Sequence, residues 1–170
     1  MKYNYKSLYE KNATLYKKYP LLQRALQPTS HVLTAIYAVA YALLLYTALT
    51  TPYEVRKLIP LICAPVVCLT VVTILRYAVN RPRPYAENGA QITPLSTKKG
   101  STDTSFPSRH VACAFVIATL FVSTFTAIGC VLLVLGVLLA YIRFTLGVHY
   151  PTDLLFGVAI GVLCGLWIFI

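Results

Sequence analysis

Three short stretches gather residues that can bind and transform an anion. They are Arg76 and Arg83 in RYAVNRPRPY, Ser108, Arg109 and His110 in FPSRHVACAF, and Arg143, His149 and Asp153 in IRFTLGVHYPTD. Guanidinium groups present forked donors that match phosphate oxygens, and several together make a cradle of high positive potential. Imidazoles beside such a cradle supply what phosphoryl transfer needs: one nitrogen to attack phosphorus, another to protonate the leaving oxygen. Asp153 follows His149 by four residues, a spacing at which its carboxylate can accept the imidazole's second N–H, fix the tautomer and leave the other nitrogen free to attack. Only five residues of the chain are acidic, and of these only Asp153 belongs to the constellation. No carboxylate set for a metal ion is therefore expected. The chemistry implied is metal-independent hydrolysis of a phosphate ester through a phosphohistidine, with no cofactor.

Each stretch also has a plainer local reading. Arg76 and Arg83 are seven residues apart, about two helical turns, so they share a face if the helix continues that far before Pro82 and Pro84 end it. Charged residues at the end of a span commonly just snorkel to the interface. Pro107 and Ser108 suit a helix start and its cap, and the free backbone N–H groups of such a start attract anions. Arg143 and His149 can reach one site only if the helix between them breaks, and Gly147 with Pro151 supplies that break. What the plain readings do not account for is the joint occurrence of all these groups.

The elements that must carry them follow from composition. Of the 170 residues 58% are hydrophobic and 12% charged, about half the charged share of a soluble domain. Nearly uncharged windows run over His31–Thr50, Leu58–Leu75, Val111–Ala127, Ile128–Ile142 and Leu154–Ile170. A helix crossing the hydrocarbon layer needs roughly 20 residues, so five spans are expected, the third and fourth joined by a tight turn near Ala127 to Gly129. Residues 1–29 interleave Tyr and Leu with Lys2, Lys6, Lys11, Lys17, Lys18 and Arg24, and read as a basic amphipathic segment, a helix lying in the headgroup layer or a partly ordered tail. Residues 30–170 form the transmembrane domain. The five cysteines all fall in apolar windows without metal-ligand spacing and are assigned to packing. Five spans alternate sides, which puts all three histidines and most arginines at one face. The polar loop between Arg83 and Pro107 is longer than most connections, and is expected to act as a lid or substrate-entry element with a short interfacial helix.

The three stretches resemble the signature motifs of the type 2 phosphatidic acid phosphatase family, integral-membrane lipid phosphatases related in fold to vanadium haloperoxidases. A basic residue, six others and Arg-Pro match Arg76, Arg83 and Pro84. Pro-Ser-Gly-His matches Pro107, Ser108 and His110. Ser-Arg, five residues, His, three residues and Asp match Arg143, His149 and Asp153. The resemblance covers roughly residues 30 to 170 and implies an all-α polytopic bundle. It also implies that His149 is the nucleophile, Asp153 its orienting carboxylate and His110 the general acid, with Arg76, Arg83, Ser108 and Arg143 holding the phosphate. Arg109 stands where the family has Gly, and either adds a phosphate donor or restricts the headgroup pocket; Ile142 stands where it has Ser, removing one hydrogen bond.

The expected substrate is a lipid phosphate: phosphatidate, phosphatidylglycerol phosphate or undecaprenyl diphosphate. The alternatives are phosphate transfer to an acceptor other than water, halide oxidation by bound vanadate, and a phospholipid-binding membrane protein without turnover. A net charge of +10 favours anionic membrane lipids as partners rather than nucleic acid. The expected location is a cell membrane, that of bacteria. Its orientation is drawn two ways: the N-terminal excess of positive charge places the site in the cytoplasm, whereas bacterial members of the resembled family face outward.

Overall fold

The computed structural model describes residues 5–50, 55–86, 89–96 and 104–169. It holds six α-helices: α1 (Tyr5–Lys18), α2 (Pro20–Thr50), α3 (Val55–Val79), α4 (Arg109–Thr124), α5 (Thr126–Thr145) and α6 (Pro151–Gly165), the last extended by a 3₁₀ turn over Leu166–Phe169. Four segments are long and apolar enough to cross a membrane: Pro20–Thr50, Leu58–Val79, Thr126–Thr145 and Pro151–Phe169. The remaining expected span is α4, 16 residues long, or about 24 Å at 1.5 Å per residue. Ten of its residues are buried, because α2, α3, α5 and α6 all pack on it. It is the axis of the bundle rather than a lipid-facing wall.

The outer surface is inverted relative to a soluble protein. Val32, Val39 and Leu43 on α2, Ile74 on α3, Val134 on α5 and Leu155 and Leu163 on α6 are all exposed, the pattern of helices whose solvent is hydrocarbon. Between α4 and α6 the backbones approach closely through Gly157, Gly161 and Gly165. A Cβ at Gly157 would stand 2.9 Å from the Ser108 carbonyl oxygen and one at Gly161 2.5 Å from that of Ala112. Small residues four apart permit such contact where no hydrophobic effect drives helices together. The result holds the start of α4 against the start of α6, which is where the polar residues lie.

The local structure differs from expectation at several points. α3 stops at Val79, so Arg76 and Arg83 do not share a helix; Asn80 takes a left-handed φ of 43°, and Arg81 precedes a proline, which disfavours helical backbone. The turn between α4 and α5 is at Phe125, two residues before the stretch expected. α2 begins at Pro20, a residue pre-set for the first helical turn, and runs through the division expected at residues 29 and 30. The described parts of the loop, residues 84–86, 89–96 and 104–106, are not helical, and the rest of the loop, where a short helix is also expected, lies outside the described residues.

The N-terminal segment is a helix that docks on protein as well as facing outward. Tyr9 and Ala13 of α1 are buried while Lys6, Lys11, Lys17 and Lys18 are exposed. The Tyr9 hydroxyl donates to the Thr93 carbonyl (3.1 Å) and accepts the Leu95 N–H (3.0 Å). Asn12 donates to Thr145 Oγ1 at 3.0 Å, at the end of α5. α1 thereby straps the polar loop to the bundle.

Candidate active site

Beyond Asn80 the chain turns back and pairs with the far end of the loop. Pro82 and Thr104 form an antiparallel bridge, and the Arg81 carbonyl accepts the Ser105 N–H at 2.8 Å. Arg76 reaches up from the end of α3 to clamp the same turn. Its Nη1 donates to the Pro107 carbonyl at 3.0 Å and the Ser105 carbonyl at 3.4 Å, and its Nη2 donates to Thr104 Oγ1 at 2.9 Å and to the Thr104 carbonyl. Both terminal nitrogens of Arg76, expected to hold phosphate, are thus engaged by the turn that carries Ser105.

That turn fixes His149. α5 ends at Thr145, Gly147 adopts φ +73° and α6 begins at Pro151, so the break needed between Arg143 and His149 is present. His149 is buried, and its Nδ1 lies 2.9 Å from the Ser105 carbonyl oxygen. A carbonyl only accepts, so Nδ1 carries the proton and Nε2 the lone pair. Asp153, expected to take that N–H, stands farther off, with Oδ2 at 3.7 Å. The physical reason is that Asp153 is already held. Its Oδ2 accepts the Tyr150 N–H at 2.9 Å, reaching back over the start of α6, and its Oδ1 accepts from Arg81 Nη1 at 2.9 Å.

Around this ring the structure assembles the other predicted residues. Ser108 occupies the N-cap of α4 without making the capping bond expected of it, and its backbone N–H donates to the Asp153 carbonyl at 3.0 Å. Among the described residues, Ser108 Oγ and Arg143 Nε are buried without a hydrogen-bond partner, a condition rare enough in folded proteins to call for a ligand or water. Arg83 is buried and directs Nη1 at the Val148 carbonyl, 3.4 Å away. Burial pushes the His149 imidazole below its ordinary pKa; Asp153 opposes this, while Arg83 and Arg143 add to it. His110 on α4 lies within the electrostatic reach of Arg143, His149, Arg109 and His31. It is exposed, as is Arg109. Both line a cavity of about 290 Å³ walled by Tyr37, Cys113, Ile117 and Leu139 between α2, α4 and α5. All eight predicted residues therefore meet at one end of the bundle.

The sequence reading missed three participants. Arg81 is engaged with Asp153, Ser105 supplies the carbonyl that faces His149, and Tyr150 lies under the Arg81 guanidinium at 3.8 Å. Only Arg81 had any local signal, two residues before Arg83 in NRPRP, where the prolines impose extended backbone. Among the described residues no group of three or more His, Cys, Asp or Glu could hold a metal ion.

Comparison with known proteins agrees with this architecture. The crystal structure of Aquifex aeolicus LpxE is similar at a TM-score of 0.70 and 27% identity, covering 96% of this chain and 93% of that one. The crystal structure of the first transmembrane PAP2 type phosphatidylglycerolphosphate phosphatase from Bacillus subtilis is similar at a TM-score of 0.66 and 21% identity, covering 95% and 83%. No curated protein sequence matches the chain. The model of the PAP2 superfamily matches residues 57–170, a stretch that contains every predicted site residue. The chain belongs to the PAP2 superfamily of type 2 phosphatidic acid phosphatases, and is a multi-pass membrane lipid phosphatase.

Proposed function

We propose that this chain hydrolyses the terminal phosphate of a membrane lipid through a phosphohistidine on His149, without a metal ion. The observation that carries the reading is the orientation of His149. With Nδ1–H directed to the Ser105 carbonyl, the Nε2 lone pair is the one left to react. Ser108 Oγ and Arg143 Nε, buried and unpartnered, are donors suited to phosphate oxygens, with Arg83 adding positive charge beside them. Nε2 attacks phosphorus as the bond to the lipid oxygen breaks, and His110 gives that oxygen a proton. The ring then carries a positive charge, which the Ser105 carbonyl and the Asp153 carboxylate stabilise. His110 next takes a proton from water, whose oxygen attacks phosphorus; the N–P bond breaks, and inorganic phosphate leaves with His149 neutral again. Arg76 serves this site by holding the Thr104–Pro107 turn.

The apolar cavity beside His110 and Arg109 suits the lipid portion next to the phosphate. Phosphatidate, phosphatidylglycerol phosphate and undecaprenyl diphosphate are the candidate substrates. The origin of both structural neighbours supports a bacterial cytoplasmic membrane as the location. The test is phosphate release by purified protein in detergent with EDTA, on each lipid, for wild type and His149→Ala. Release from at least one lipid, reduced to background in the variant, is expected. Turnover by His149→Ala at the wild-type rate would overturn the nucleophile, and EDTA inhibition reversed by magnesium would overturn the metal-free route.

A further inference from the structure

We propose that Arg81 is a positioning residue that sets the basicity of His149, by holding both groups that face its Nδ1–H; the inference rests on His149 being the nucleophile. Two independent sets of contacts meet at this one residue. Through its backbone, Arg81 holds the turn: its carbonyl accepts the Ser105 N–H at 2.8 Å and the Ser105 hydroxyl at 3.3 Å. The next carbonyl along Ser105 is the one that accepts from His149. Through its side chain, Arg81 holds the carboxylate: Nη1 donates to Asp153 Oδ1 at 2.9 Å and to Thr152 Oγ1 at 2.7 Å. The guanidinium also lies over the Tyr150 ring at 3.8 Å, a cation–π contact that helps keep its positive charge beside Asp153.

Burial makes the pairing consequential. Asp153 is wholly buried, whereas the Arg81 side chain is 35% exposed, so the carboxylate depends on this cation while the cation keeps contact with water. The charged and titratable groups acting on His149 are Asp153 from α6, Arg83 from the segment after α3, Arg143 from α5 and His110 from α4. Asp153 is the group that favours a charged imidazole, and Arg81 offsets it. Neutralising Arg81 removes the guanidinium that donates to Asp153 Oδ1, while Asp153 Oδ2 stays 3.7 Å from Nδ1. The imidazole then becomes more basic, and Nε2 is blocked by a proton at higher pH.

The direct test is a titration of the His149 imidazole by ¹³C-edited NMR in detergent, for wild type, Arg81→Gln, Arg81→Lys, Asp153→Asn and the Arg81→Gln/Asp153→Asn double variant, beside the acid limb of kcat/KM. In Arg81→Gln both readouts move to higher pH by about one unit, the size of a typical close charge effect. Arg81→Lys, which keeps the charge, titrates near wild type. The double variant titrates no higher than Asp153→Asn alone, because the coupling runs through the carboxylate. A wild-type titration in Arg81→Gln, an equal rise in Arg81→Lys, or a rise that persists in the double variant would each overturn the proposal. Turnover that survives His149→Ala would instead overturn the nucleophile reading, and the imidazole titration would still report on Arg81.

Discussion

The two histidines of the site differ in how they are held. His149 is buried and its Nδ1 is tied to a carbonyl of a clamped turn, whereas His110 sits exposed at the mouth of a cavity. Both lie within electrostatic reach of Arg143 and of each other. Asp153 adds its charge at His149, and the two rings differ further in constraint. In the proposed role of nucleophile, His149 gains from having one fixed tautomer, which the Ser105 carbonyl gives it. A general acid must collect a proton from water in each cycle, and an exposed ring can do so. In the proposed mechanism the buried imidazole attacks, and the one at the opening carries the protons.

This contrast can be broken by a substrate that needs no general acid. His110→Asn lowers kcat/KM on a lipid phosphomonoester by about 10²- to 10⁴-fold, the usual contribution of a positioned acid. On p-nitrophenyl phosphate, whose leaving group departs unprotonated, the same variant loses far less. Equal losses on both substrates would remove His110 from the acid role, and the comparison would collapse to two binding residues.

The pH profile sharpens the same contrast. In the proposed reaction His149 must be unprotonated to attack, and burial lowers its pKa. Neutral Nε2 therefore persists to lower pH than in a free imidazole, and activity falls only as pH drops through the lowered value. On p-nitrophenyl phosphate the acid limb of kcat/KM is expected below about pH 6.5, the ordinary imidazole value. A limb clearly above that value would mean that Asp153 outweighs burial and the two arginines.

Arg109→Gly gives the smallest effect. Arg109 is exposed on the cavity that His110 opens into, so a contact from it to substrate is partly solvated and is worth about 1 kcal/mol. That corresponds to roughly a fivefold rise in KM with kcat little changed. A fall in kcat comparable to that of His110→Asn would place Arg109 among the groups that act in the transition state.

Much of this molecule could be read before any fold was known. The apolar windows predicted helices where α2, α3, α5 and α6 lie, since burial in lipid leaves a run of uncharged residues whatever the packing. The eight predicted residues stood out because forked cations, imidazoles and a lone carboxylate are costly beside a membrane core, and the structure brings them to one end of the bundle. The break between Arg143 and His149 could be read from Gly147 and Pro151, whose backbone preferences are local.

What only the tertiary structure decided is which group holds which. A spacing of four suggested that Asp153 would take the His149 N–H; the carbonyl of Ser105, 44 residues away in sequence, is nearer. Asp153 goes instead to the Tyr150 N–H and to Arg81, 72 residues distant. Arg76, chosen as a phosphate ligand from its motif, is engaged by the carbonyls of residues 104, 105 and 107. Residue type and local spacing determine what chemistry a membrane protein can carry. Which donor meets which acceptor depends on how close the helices come, and here that is set by the packing of α6 on α4 and by a loop folded back over their ends.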